Sequence, residues 1–117
     1  MLITPTLRGK THVLAVSGRL DQDNADAFRA ELGTYLDAAS REPHHIILDL
    51  SGLEYVSSAG LRCFMLAARQ AKGPESKVVV ASLQPMVAEI FQISRFDLVL
   101  KVFHNVDEAL RGLGQSA

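Results

Sequence analysis

The sequence predicts a single α/β domain over residues 1–117, with a mixed sheet of about five strands and about four helices. Three features predict it. Residues 46–50 and the valines Val78, Val79 and Val80 are short apolar runs rich in β-branched side chains, as in strands covered on both faces. Elsewhere apolar residues recur at intervals of three and four, the period of a helix with one buried stripe. Breaks rich in glycine, proline and serine separate these segments.

In chain order, residues 2–7 and 12–17 flank a tight turn at Arg8-Gly9-Lys10-Thr11 and read as an antiparallel hairpin, its first strand on an edge because of Pro5. Asp23 or Asn24 caps the first helix, whose buried stripe is Phe28, Leu32, Tyr35, Leu36 and Ala39, and which ends near Pro43. Residues 46–50 form the central strand, and Ser51-Gly52 breaks it. A second helix carries its stripe on Leu61, Phe64, Met65, Ala68 and Ala71 or Lys72, and stops at Lys72-Gly73-Pro74-Glu75. Residues 77–81 are a buried strand, joined to the central one by a right-handed parallel crossover. Ser82 and Pro85 open a third helix with Met86, Val87, Ile90 and Phe91 inward. Residues 98–103 are the last strand, and Asn105 with Glu108 resembles a capping box that opens a fourth helix. Residues 113–117 are a frayed tail. The order is β-β-α-β-α-β-α-β-α.

Composition narrows the function. The formal charge is -1 and the basic residues are scattered, which argues against a nucleic-acid footprint. The single cysteine, Cys63, permits no internal disulfide and points to a reducing compartment. No signal peptide and no run long enough to span a membrane is visible, so the expected location is cytoplasmic, without direct membrane insertion. Adjacent histidines in a strand, His44 and His45, point to opposite faces, and neither they nor His12 and His104 have ligand partners at metal spacing. No phosphate-binding glycine loop and no G-x-S-x-G elbow is present. The reading is a non-enzyme without cofactor or metal.

One stretch stands out. Val56-Ser57-Ser58-Ala59-Gly60 lies between the central strand and the second helix, so two hydroxyls fall at the positive end of a helix dipole beside unpaired backbone N–H groups. Serine there can simply cap the helix. Gly60 has no side chain to crowd an anion or a partner backbone at that point. Asp49 reads as a buried, hydrogen-bonded carboxylate that fixes the loop.

Together with Gly18-Arg19-Leu20-Asp21, the motif Asp49-Leu50-Ser51-Gly52-Leu53 followed by Val56-Ser57-Ser58-Ala59-Gly60-Leu61 resembles the STAS domain family, and most of all its stand-alone bacterial anti-sigma-factor antagonists. The resemblance covers nearly the whole chain. It implies a protein that binds an anti-sigma factor, itself a serine kinase of the histidine-kinase-like ATPase superfamily, and so frees a sigma factor. It implies phosphorylation at Ser58, with Ser57 as the alternative acceptor, and a serine phosphatase that resets the switch. Asp21 matches an acidic position near the phosphorylated serine; it can equally brace the following helix. The implied partner surface is Asp21, Asp23, Asn24, Tyr55, Val56, Ser57, Ala59, Gly60, Leu61 and Arg62. The chain departs from the family at Ser57, where aspartate is usual, and at Ala59, where serine or threonine often follows. The alternative reading is an accessory subunit of a membrane phospholipid transport assembly with an ATP-binding cassette protein, binding without phosphorylation.

Overall fold

The computed structural model describes residues 2–41, 45–70 and 78–114, and the side chains of all of these except 38–41. A hairpin comes first: β1 (Leu2–Arg8) lies antiparallel to β2 (Thr11–Leu20), with Ile3 opposite Val16 and Arg8 opposite Thr11. Then follow α1 (Ala25–Arg41), β3 (His45–Val56), α2 (Ser58–Gln70), β4 (Val78–Ala81), α3 (Pro85–Ile93), β5 (Val102–Phe103) and α4 (Val106–Gly112). Strand order in the sheet is β1-β2-β3-β4-β5, so β1 with its proline is an edge, and β2 to β5 are parallel neighbours. The crossover from β3 through α2 to β4 is parallel as the sequence predicts.

Two apolar clusters, one on each face, hold the sheet. The larger joins Leu14, Val16, Leu20, Ile46, Leu48, Leu50, Leu53, Val56, Val78 and Val80 to α1, α2 and α3. The smaller joins Val13, Ile47, Val79 and Ala81 to Ala109 and Leu110 of α4. Alternation along β3 and β4 thus sends successive side chains into different cores, which is why both strands read as unbroken apolar runs. Phe64 is the centre of the larger cluster. Its ring centroid lies 5.8 Å from Phe28 of α1 and 6.0 Å from Phe91 of α3, and Phe91 lies 5.8 Å from Phe96. These are edge and tilted contacts of the favoured kind.

Several expectations are corrected. Ser51-Gly52 does not end the central strand; β3 runs on to Val56 with a register shift against β2. Gly52 permits this, because a Cβ there would lie 2.8 Å from the Ser17 Cβ and 3.1 Å from its Cα. Asp49 is half-buried, not buried, and its Oδ1 accepts the Ser51 N–H at 3.1 Å, bracing the irregularity within the strand. The buried face of α2 is Gly60, Leu61, Cys63, Phe64 and Ala67, while Met65 and Ala68 pack at its margin, because α1 and α3 flank it on both sides. In α3 only Val87 and Phe91 are fully buried, and Met86 is 57% exposed. Nine residues give one short inward stripe, and Met86 in the first turn falls outside it. The third helix opens at Pro85 as expected, preceded by Gln84, while Ser82 stands outside it with a φ of 62°. The last strand shrinks to two residues, since residues 96–98 form a 3₁₀ turn and Val99 and Leu100 both donate to the Phe96 carbonyl. That turn lets Phe96 and Leu100 both reach the core. Asn105 does cap α4, its Oδ1 accepting the Glu108 N–H at 2.8 Å. The expected contacts of Ala39, the stop at residues 72–75, residue 77 of the fourth strand and the end of the tail lie outside the described residues.

Candidate functional site

Because β2, β3 and β4 are parallel, the segments that leave them meet at one end of the sheet: residues 21–24, 57 and 82–84; the loop expected from Gly18 starts only at Asp21, because β2 runs on to Leu20. This is where open parallel sheets commonly hold their binding sites. The junction is tied down by backbone. Ser57 N–H donates to the Leu20 carbonyl at 2.9 Å, next to the Leu20–Val56 strand pair, so the loop that starts at Asp21 lies beside the mouth of α2.

The two serines have different jobs. The helix begins at Ser58, and Ser57 is its cap: the Ser57 Oγ accepts the Gly60 N–H at 3.2 Å, while its carbonyl accepts Leu61 N–H at 2.9 Å. Ser57 is half-buried. Ser58 is exposed, in the first position of the helix. Thus one hydroxyl secures the fold and the next faces solvent. A carboxylate in place of Ser57 would accept the same N–H, so serine supplies the cap's hydrogen bond without a charge.

The turn at residues 21–24 is self-braced. Asp21 Oδ1 accepts the N–H groups of Asp23 at 3.0 Å and Asn24 at 3.2 Å. Asn24 Oδ1 in turn accepts the Asp21 N–H at 2.9 Å, and its Nδ2 donates to the Arg19 carbonyl at 2.7 Å. Asn24 therefore spends its side chain backward on the loop, while its carbonyl accepts the Phe28 N–H of α1 at 3.0 Å. Asp23 is exposed, and Asp21 and Asn24 are half-buried.

The other predicted contact residues divide into a surface and its support. Arg62 is exposed; Ala59 and Tyr55 are half-buried, with the Arg19 guanidinium 4.6 Å from the Tyr55 ring centre. Val56 and Gly60 are buried beneath the surface. The expectation that Gly60 leaves room for an anion is corrected: a Cβ there would lie 2.7 Å from Leu20 Cγ and 2.8 Å from Val56 Cγ2, so the space it spares lies beneath the helix. Leu61 is also buried, yet it lines a groove of about 370 Å³ with Ser58, Arg62, Met65, Leu66, Arg69 and Phe96. Sequence reading had no means to find this groove, since Phe96 arrives from the far side of α3. It also missed Gln84, whose Nε2 donates to the Ser51 carbonyl at 2.7 Å and ties the third loop to β3.

Cys63 has no role in this surface. It is buried, its sulfur within 3.4 Å of the Ala25 carbonyl and 3.5 Å of the Ala59 carbonyl, and burial pushes its thiol above the ordinary value. That is the opposite of an activated nucleophile.

Comparison with known proteins identifies the family and the fold. A family model described as "Mlab, STAS domain" matches residues 3–102. The chain is 34% identical over 97 residues to a Bordetella bronchiseptica protein named "Putative anti-sigma factor antagonist BtrV", covering 83% of this chain and 81% of that one. An anti-sigma factor antagonist from Mycobacterium paratuberculosis has the same fold, with a TM-score of 0.85 at 21% identity over 97% of this chain and 94% of its own. So has the Bacillus cell fate determinant SpoIIAA in its phosphorylated form, with a TM-score of 0.67 at 18% identity over 96% and 99%. Through the family match over residues 3–102, and the sheet and helices common to these structures, the chain belongs to the STAS domain family.

Proposed function

We propose that this STAS domain is an anti-sigma-factor antagonist: a cytoplasmic, non-enzymatic protein that binds a cognate anti-sigma factor and is switched off by phosphorylation at Ser58. The observation that carries it is the division of labour between the serines. Ser58 is exposed at the head of α2, while Ser57 holds the helix cap. A kinase can reach Ser58 without unfolding anything, and its phosphate would sit where a helix N-terminus favours an anion. The similarity to BtrV supports the regulatory class, and a protein of the same fold, SpoIIAA, is known in a phosphorylated form.

The energetics of such a switch are favourable. Phosphate adds about -1.5 to -2 charges at neutral pH. Its cost falls on the complex, because a charge desolvated without a partner in an interface costs several kcal/mol, and about 1.4 kcal/mol is already tenfold in affinity. Asp21 and Asp23 on the adjoining loop add like charge. The partner in this reading is an anti-sigma factor kinase of the histidine-kinase-like ATPase superfamily, with a serine phosphatase to reverse the modification.

The test is incubation with ATP and an anti-sigma factor kinase of the same organism, read by intact mass and peptide mapping. One phosphate on Ser58 is expected. Ser58→Ala should bind the kinase constitutively, and Ser58→Asp at least tenfold more weakly. Equal binding by wild type and both variants would rule out a charge switch. Phosphate on Ser57 instead would move the acceptor by one residue. Co-purification with an ATP-binding cassette protein, and no phosphate, would assign the accessory-subunit role instead.

A further inference from the structure

We propose that the groove beside Ser58 is the seat of an acidic amphipathic helix presented by the partner, an inference that rests on the antagonist reading and names the chemistry of its binding face. Four observations carry it. The floor is apolar, from Leu61, Met65, Leu66 and Phe96. Among the described residues, the charged ones lining it are Arg62 and Arg69, both exposed and both cationic. Arg95 and Asp97 flank Phe96 with opposite charges and leave that balance unchanged. Ser58 lies at one end of the groove, so it is continuous with the proposed switch.

The secondary structure of the visitor follows from the groove's walls. One wall is α2, a helix whose backbone beyond the first turn pairs within itself; the other carries Phe96, from the 3₁₀ turn. Neither offers a sheet edge, so an extended segment would find no ladder to join. A helix satisfies its own backbone and lays an apolar stripe in the groove. Arg62 and Arg69 are seven residues apart, about 10 Å along the helix axis. Two turns of a visiting helix with carboxylates at matching spacing span that distance.

The direction of the switch then has a local cause. A phosphate on Ser58 places negative charge at the mouth of a groove that selects negative charge. It also competes for Arg62, which lies one turn along the same helix face. Acidic Asp21 and Asp23 follow β2, with Arg19 beside them, and basic Arg62 and Arg69 lie along α2.

The experiment uses the full ¹⁵N-labelled chain and two synthetic helical peptides with the same leucine face, one flanked by glutamates and one by lysines. The glutamate peptide should shift the amides of Leu61, Arg62, Met65, Arg69 and Phe96 and bind roughly tenfold tighter than the lysine peptide. Arg62→Glu with Arg69→Glu should invert that preference. Phosphoserine installed at position 58 by genetic encoding should weaken the glutamate peptide and spare the lysine one. Equal binding of both peptides, a preference unmoved by the charge reversal, or shifts centred on the exposed Ile93 and Leu98 would each overturn the proposal. No kinase enters this experiment. A chain that is never phosphorylated leaves the groove standing, and peptides that bind without charge preference remove the groove but leave the antagonist.

Discussion

Ser57 and Gly60 fix the mouth of α2 from opposite sides, and each can be tested alone. Ser57→Ala leaves the Gly60 N–H without its acceptor and should lower stability by about 1 kcal/mol, while Ser57→Asp should retain it. Urea midpoints of the three proteins decide this; equal values for serine and alanine would remove the cap. Gly60→Ala sets two effects against each other. Alanine is the better helix former by about 1 kcal/mol. The added methyl, however, meets Leu20 at 2.7 Å and Val56 at 2.8 Å, side chains that are 0% and 2% exposed and have nowhere to go. Overpacking of that kind costs about 1–3 kcal/mol, so a net loss is expected. A variant as stable as wild type would show that Leu20 can repack. Neither role follows from the order of residues alone. Two adjacent serines before a glycine are equivalent in the sequence, and only the start of α2 decides which one caps and which faces solvent.

At the scale of elements, Cys63 reports on the packing of α2 against α1. Burial is the largest cause of its raised pKa; Arg29 opposes the rise and Asp26 adds to it. The folded chain therefore holds the thiol proton more tightly than the unfolded chain. Its contribution to stability is complete below the ordinary value of 9.0 and is lost as pH rises past it. Denaturation midpoints between neutral and strongly alkaline pH should fall more steeply for wild type than for Cys63→Ala. Parallel slopes would mean that the thiol is not desolvated. The helices were legible because their stripes are periodic: Phe28, Leu32 and Leu36 are buried as the spacing of α1 predicts. The strand ends were not. Ser51-Gly52 looks like punctuation, yet in β3 the glycine admits Ser17 of the neighbouring strand. Residues 98–103 look like a strand, yet Phe96 and Leu100 enter the core together only through a turn.

For the whole molecule, the two faces of the sheet are unequally protected. Among the described residues, α1, α2 and α3 cover one, and α4 covers the apolar patch on the other. Leu110 is fully buried against that patch, so Leu110→Ala should cost about 2–5 kcal/mol, a large share of the roughly 5–15 kcal/mol that holds a domain together. Chemical denaturation measures it; a loss under about 1 kcal/mol would mean that α4 is a dispensable cover. The proposed switch sits on the opposite side of this accounting. Ser58 is exposed, so Ser58→Asp should leave the midpoint within about 0.5 kcal/mol of wild type while partner binding is lost. Separation of stability from binding is what a reversible modification on a small domain requires.

The alternating and helical periods, the β-branched runs and the Ser57-Ser58-Ala59-Gly60-Leu61 motif were enough to determine an α/β domain, its element order and its family, because each is a local pattern that a strand, helix or turn demands of its own residues. The tertiary structure alone decided that Gly60 faces Leu20 and Val56, that Ser57 is the cap, and that Phe96 meets α2 across a groove. Those facts depend on contacts between segments far apart in the chain, and no spacing within one segment encodes them.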